Sequence, residues 1–450
     1  MREVSRVYRF ILYAQMVLMG ELAFAQNPLI MDQFTADPTA RVFGGKVYVY
    51  PSHDILAEEG KGRTGWFCME DYHVFSSADL IKWTDHGVIV SQEQVPWADP
   101  NAYSMWAPDC IEKNGKYYFY FPTRARDTTY NGKGFTIGVA IADNPAGPFN
   151  IQSTPIIGVR GIDPNVLIDK DGQAYLYWSQ GSIYGARLKE NMLELAEEPH
   201  ILGELPQKGL KEGPFVFERN GIYYLTYPHV ENKTERLEYA ISDNPLGPFT
   251  VKGVIMDEWA NGCWTNHHSI LKFEGQWYLF YHHNDLSPDF DKARSICADS
   301  LFFDTDGSIL KVTPTFRGIG SQKATEAIHP DRYSLKSDGV NIAFNDTLDT
   351  FKGWHAVLGM EEQWIQYNSV NLRQGLRQVI WKVRSPLGGK IEVRLDGTSG
   401  SIISTLVIPE GSSWQELKSP IYGYESGIHN IAIISKGNSV DLDWLRFEEQ

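Results

Sequence analysis

Three acids recur in one local setting. Asp37-Pro38, Asp163-Pro164 and Glu212-Gly213-Pro214 each stand ahead of an apolar run, a glycine turn and an aromatic run. Carboxyl groups so placed suit the cleavage of a glycosidic bond. In the inverting form of that reaction one carboxylate activates water and one carboxylic acid protonates the leaving oxygen, the two standing roughly 6.5–9.5 Å apart. A third carboxylate nearby raises the acid's pKa by like-charge repulsion and keeps it protonated near neutral pH. Asp-Pro alone also starts strands through a turn. Three acids in register in one repeat favour a site.

The repeat positions them. Its fullest copy runs from Glu212 through Phe215-Val216-Phe217 to Asn220-Gly221 and then Tyr223-Tyr224-Leu225. Asn-Gly between β-rich runs is a strong hairpin signal. The other copies begin at Asp37, Asp109, Asp163 and His267-His268 and turn at Gly45, Gly115, Gly172 and Gly275. Asp143-Asn144-Pro145-Ala146-Gly147-Pro148-Phe149 returns as Asp243-Asn244-Pro245-Leu246-Gly247-Pro248-Phe249. Units of several short strands, repeating every ~50 residues, predict a five-bladed β-propeller over 26–320. Its inner strands then open at one end of one channel.

Other residues at that end have two readings each. Asp109 is a site acid or a structural one. His267 and His268 are metal ligands or hydrogen-bonding channel residues. Arg294 forks onto substrate hydroxyls or a catalytic carboxylate, or solvates an edge. Trp66, Trp97 and Trp106 stack on sugar faces or fill the core.

Of the 450 residues 22% are charged and 13% aromatic, with a formal charge of −15 and no basic block. That balance excludes nucleic acid and anionic membranes as partners and suits a neutral polar ligand. Arg2, Arg6 and Arg9, an apolar run and Ala23-Phe24-Ala25 predict a signal peptide over 1–25 and export, periplasmic or secreted. Cys68, Cys110, Cys263 and Cys297 lack metal-knot spacing; an exported chain allows two disulfides among them, but a core this large does not need them and buried free thiols are favoured. After a polar linker at 321–328, residues 329–450 alternate as short strands and predict a jelly-roll-like β-sandwich.

Ala36-Asp37-Pro38, Gly161-Ile162-Asp163-Pro164-Asn165, Lys211-Glu212-Gly213-Pro214, Trp106-Ala107-Pro108-Asp109 and Asn266-His267-His268-Ser269 together resemble glycoside hydrolase family 43. The resemblance implies an inverting hydrolase of plant cell-wall polysaccharide or oligosaccharide. In it Asp37 is the general base, Glu212 the general acid, and Asp163 tunes and orients the acid. Arg294 is implied to hold the sugar, with Trp66, Trp106 and His268 as further substrate contacts. His268 is also implied to meet a structural calcium through water, and the chemistry needs no cofactor. The expected activity is exo-acting removal of terminal α-L-arabinofuranosyl units, with β-D-xylosidase as the alternative. A propeller that only binds glycans would have lost one of the three acids, and none is lost. Residues 364–372, 389–396, 427–429 and 441–444 are similar to a family 6 carbohydrate-binding module, which implies a ligand cleft at Trp414 and Asp441.

Overall fold

A computed structural model describes residues 27–259, 262–285, 292–320, 322–346 and 354–449. The expected signal peptide lies outside them. Each blade is an antiparallel meander in chain order. Blade 1 is β1 (Thr35–Phe43), β2 (Lys46–Asp54), β3 (Met69–Ser77) and β4 (Thr84–Ser91). Blade 2 is β5 (Asp109–Lys113), β6 (Lys116–Arg124), β7 (Phe135–Ala142) and β8 (Asn150–Ile151). Blade 3 is β9 (Ile162–Ile168), β10 (Ala174–Ser179), β11 (Ile183–Arg187) and β12 (His200–Ile201). Blade 4 is β13 (Phe215–Arg219), β14 (Ile222–Val230), β15 (Glu235–Ser242) and β16 (Thr250–Met256). Blade 5 has three assigned strands, β17 (Ser269–Phe273), β18 (Gln276–His283) and β19 (Ser295–Leu301).

The turn chemistry is as the repeat predicts. Asn114-Gly115, Asn220-Gly221 and Glu274-Gly275 all take positive φ at both positions, which matches the twist of the strands they join. The aromatic runs become the second strand of each blade and pack between blades. Tyr50, Phe119, Tyr177, Tyr224 and Tyr281 are buried there. β1, β5, β9, β13 and β17 each touch the next, and β17 returns to β1. The first described residues close the ring beside β19. Leu29 N–H donates to Ile296 O at 2.8 Å, and the Asn27 side chain bonds Ala298 and Thr315.

Asp109 takes the structural one of its two readings. Arg41 forks onto it, Nε to Oδ1 at 3.0 Å and Nη2 to Oδ2 at 2.6 Å. It also accepts Asn165 Nδ2 and the N–H groups of Cys110 and Val166. One buried carboxylate thus ties blades 1, 2 and 3 together.

The sandwich has two sheets. One runs β20 (Gln322–Lys323), β24 (Trp364–Leu372), β29 (Gly427–Ser435), β26 (Gly389–Leu395), β27 (Ile402–Ile408), with β21 (Leu335–Lys336) also on β24. The other runs β22 (Asn341–Phe344), β23 (Trp354–Leu358), β30 (Val440–Glu448), β25 (Gln378–Ser385), β28 (Gly411–Pro420). Trp381, Ile391, Ile433, Leu445 and Phe447 fill the space between them. The stretch 322–328, expected as a linker, is packed instead. Gln322 and Lys323 pair in parallel with β24, and Ala324 and Ile328 are buried in this core. Their small polar neighbours hide two apolar anchors from a composition reading.

Removing one partner of a buried ion pair leaves the other charge without compensation. Asp109→Ala is therefore expected to destabilise the propeller by about 3–5 kcal/mol. A thermal unfolding midpoint equal to wild type is the contrary result.

Candidate active site

The strand mouths carry Asp37 and Asp163 on irregular backbone. Asp37 sits in a bulge of β1 between Ala36 and Thr39 at φ 51°, and Asp163 lies next to a register shift in the β9–β10 pairing at φ 58°. Bulges bend a strand and re-aim its side chains. Only glycine fits two residues earlier, because a Cβ on Gly161 would lie 2.0 Å from Ser179 O.

Arg294 at the head of β19 organises the base side. It is 2% exposed. Its Nε and Nη2 fork onto Asp54 at 2.9 Å each, while Nη1 donates to Asp37 Oδ1 at 3.0 Å and to Thr265 Oγ1 at 3.1 Å. The Phe67 ring covers the guanidinium at 4.7 Å. Ser52 Oγ donates to Asp37 Oδ2 at 2.5 Å, and the Asp37 N–H donates to His282 Nδ1 at 3.1 Å. Burial alone would push the Asp37 carboxyl up. The Arg294 charge overrides it, with His282, His267 and Ser52 adding, and holds Asp37 at about 2. Arg294 therefore reaches the catalytic Asp37 carboxylate, while its fork is spent on Asp54.

Asp163 and Glu212 are joined across blades 3 and 4. Gly213 N–H donates to Asp163 Oδ2 at 3.0 Å, and Val216 N–H donates to Asn165 Oδ1 at 2.8 Å. These two bonds set β13 against β9 and bring Glu212 to the mouth. Burial, then the charges of Glu212 and Asp37, push Asp163 well up. Glu212 is also raised. Burial is the main cause and Asp37 adds, while a hydrogen bond with Glu235 and the Arg294 charge pull back. Asp37, Asp163 and Glu212 thus form one electrostatic cluster with opposite displacements at its two ends.

The remaining expected contacts divide. Trp106 is half-buried against Phe135 at 4.5 Å, and its buried Nε1 has no partner among the described residues. Phe135 and Glu212 line a cleft of about 240 Å³ with Lys133, Arg160, Ile162 and Gln180. Trp66 is exposed and leans edge-on against Phe67 at 5.6 Å, so Phe67 is the aromatic that reaches Arg294. Trp97 stacks on Phe121 in the core. His268 is buried, with Nε2 on Thr226 Oγ1 at 2.6 Å and Nδ1 without a partner among the described residues. An imidazole and a hydroxyl fit a hydrated cation met through water, whereas direct calcium ligation takes an oxygen-rich shell. The four cysteines are buried and unpaired.

Asp54, Thr265 and Glu235 belong to this site and escaped the sequence reading. They lie at ends of second and third strands or in a loop, where no repeat marks them.

In the sandwich, Trp414 and Asp441 share one cluster. Arg384 covers the Trp414 ring at 4.5 Å and donates to Asp441 Oδ2 at 2.7 Å, with His355 edge-on to the ring.

A propeller whose channel mouth holds three acids, one ionised against a buried arginine and one pushed toward protonation, is built for acid–base hydrolysis. The chain belongs to glycosyl hydrolases family 43, whose model matches residues 25–309, and residues 335–449 match carbohydrate binding module family 6. It is 37% identical to a xylosidase/arabinosidase of Bacteroides ovatus, over 63% of this chain and 96% of that one. An arabinoxylan arabinofuranohydrolase of Bacillus subtilis strain 168 is 28% identical over 94% of this chain and 92% of its own. A family 43 β-xylosidase/α-arabinofuranosidase from a compost microbial metagenome was solved with xylotriose in a calcium-free form. It superposes with a TM-score of 0.57 at 36% identity, covering 64% of this chain and 98% of that one. The protein is a glycoside hydrolase acting on hemicellulose.

With one face of Trp414 already taken by Arg384, Trp414→Ala in the full chain is expected to leave retention on insoluble arabinoxylan unchanged in a sedimentation assay. Lost retention would place sugar on the ring's other face.

Proposed function

We propose that the protein is an exported, exo-acting, inverting α-L-arabinofuranosidase that removes terminal arabinofuranosyl units from arabinoxylan-type hemicellulose. The observation that carries the mechanism is the split between Asp37, held at about 2 by Arg294, and Glu212, raised above the ordinary 4.5. Asp37 takes a proton from the attacking water. Glu212 gives its proton to the leaving oxygen on the opposite side of the bond. Asp163, bonded to the Gly213 N–H, orients the Glu212 segment and serves as the modulator that favours its protonated form. Arg294 fixes Asp37 and keeps it ionised. A cleft beside Glu212 offers room for part of the substrate. A hydrated calcium at His268, when bound, supplies positive charge in the channel and breaks no bond.

Likeness through both domains to an arabinoxylan arabinofuranohydrolase supports arabinose as the released sugar. A second reading, β-D-xylosidase or a bifunctional enzyme, is supported by the higher identity to xylosidase/arabinosidases over the propeller. Export rests on Ala23-Phe24-Ala25 after the apolar N-terminal run.

Arabinose release from arabinoxylo-oligosaccharides, set against xylose release from xylobiose, decides between the sugars. Glu212→Gln is expected to cost on the order of 10²-fold or more on whichever is cleaved. Full activity in that variant removes the acid assignment.

The pH profile follows from the signs. Activity needs Asp37 ionised, which holds above about 2, and Glu212 protonated, which holds below a value raised above 4.5. kcat/KM is expected to stay flat from pH 3 to 4.5, where an ordinary carboxylate base is already protonating. Asp163→Asn, at the proposed modulator of the acid, is expected to move the basic limb to lower pH. An unmoved limb in Asp163→Asn is the contrary outcome.

A further inference from the structure

Glu235 opens β15, on the third strand of blade 4. It is 1% exposed. Its N–H donates to Trp264 O at 3.1 Å, which pins the backbone, and its Oε2 accepts the Asn266 N–H at 2.7 Å. Its Oε1 is buried and receives no N–H or hydroxyl from any described residue. What the side chain meets instead is the Glu212 carboxyl, in a side-chain hydrogen bond. Two ionised carboxylates offer only acceptors and repel. Two carboxyls in hydrogen-bonding contact therefore hold at least one proton between them.

The surroundings decide which group keeps it. Glu212 is opposed by Asp37 but also feels Arg294. Glu235 faces Glu212 and Asp163, with the Cys263 thiol nearby, and the Asn266 N–H is its one favourable partner. A buried carboxylate with so little compensation is costly, so the neutral form is the stable one. Burial, then Glu212, push its carboxyl well up.

We propose that Glu235 remains a neutral carboxylic acid through turnover and donates its O–H to Glu212, positioning that residue's own proton toward the leaving oxygen and stabilising the carboxylate Glu212 becomes. The inference rests on Glu212 being the general acid. The protons balance. The Glu212 proton goes to the leaving oxygen, the water proton goes to Asp37, and the Glu235 proton stays on Glu235. After product release Asp37 loses its proton to solvent and Glu212 regains one. Hydrogen bonds to an ionised group are about twice as strong as neutral ones, and here the bond strengthens only as charge develops. Glu235 acts opposite to Asp163, which raises the acid's pKa. Glu235 touches no substrate and is a positioning residue.

The test compares Glu235→Leu, Glu235→Gln and Glu212→Gln in the full chain. Each is assayed on two glycosides of the sugar that wild type cleaves, a nitrophenyl glycoside and an oligosaccharide. Nitrophenolate departs with little protonation, whereas a sugar oxygen needs the acid. Glu235→Leu is expected to lower kcat on the oligosaccharide by about 10- to 100-fold, with KM little changed and the nitrophenyl rate near wild type. Its basic limb moves to higher pH, since the donor that favoured ionised Glu212 is gone. Glu235→Gln presents an amide N–H to Glu212 and its carbonyl to Asn266, and recovers most of the loss. Equal losses on both substrates, or a Gln variant as poor as the Leu variant, overturn the proposal. If Glu212→Gln shows no dependence on leaving group, the acid assignment itself has failed. If Glu212→Gln shows it and Glu235→Leu does not, the role of Glu235 alone falls.

Discussion

The site depends on one buried guanidinium. Arg294 sits at the seam where the last blade meets the first, and its N–H and side chain both bond Asp54 of β2. Its carbonyl accepts the Thr35 N–H of β1 at 2.9 Å. The contacts that close the ring are therefore the contacts that hold the Asp37 carboxylate. A rigid planar fork suits this better than a lysine point charge, because three acceptors are met at fixed angles. Closure of the propeller and preparation of the base are one event.

Across the channel the logic inverts. Asp163, Glu212 and Glu235 are buried with no cation forked onto them, and burial raises all three. A single fold thus provides two environments at one channel mouth. One carboxyl is kept ionised by a charge partner and the others are kept toward protonation chiefly by burial. Acid–base chemistry at one pH needs such a separation. The radial repeat supplies it, because each blade brings its strand mouth to the same channel with a different partner behind it.

This also explains what the sequence disclosed. The three acids, five turns and aromatic strands were legible because they repeat, and a repeated position carries its structural meaning with it. Asp37 and Asp163 were visible as Asp-Pro pairs, although the positive φ that aims them was not. Asp54 and Glu235 were invisible because each occurs once, at an end of a strand that is otherwise ordinary. Asp109 had two readings from its register alone, and only its bonds to Arg41, Asn165 and Val166 separate them. The linker was misplaced because Ala324 and Ile328 are two buried residues in seven, too few to register as a pattern.

The second domain is bound to the same seam. Arg332 Nη1 donates to Asn27 O at 2.7 Å, and Tyr333 packs edge-on against Phe316 at 5.9 Å. Asn27 N–H in turn donates to Phe316 O, and Leu29 follows β19 toward Arg294. The sandwich therefore holds the segment that completes blade 5, whose third strand carries neighbours of Arg294. Trp414, by contrast, has one face taken by Arg384, which also neutralises Asp441. A guanidinium lying on a ring takes up the cation–π attraction of that face. In this chain the module's physical connection to catalysis runs through the propeller seam, by fixing the strand edge on which the ionised base depends.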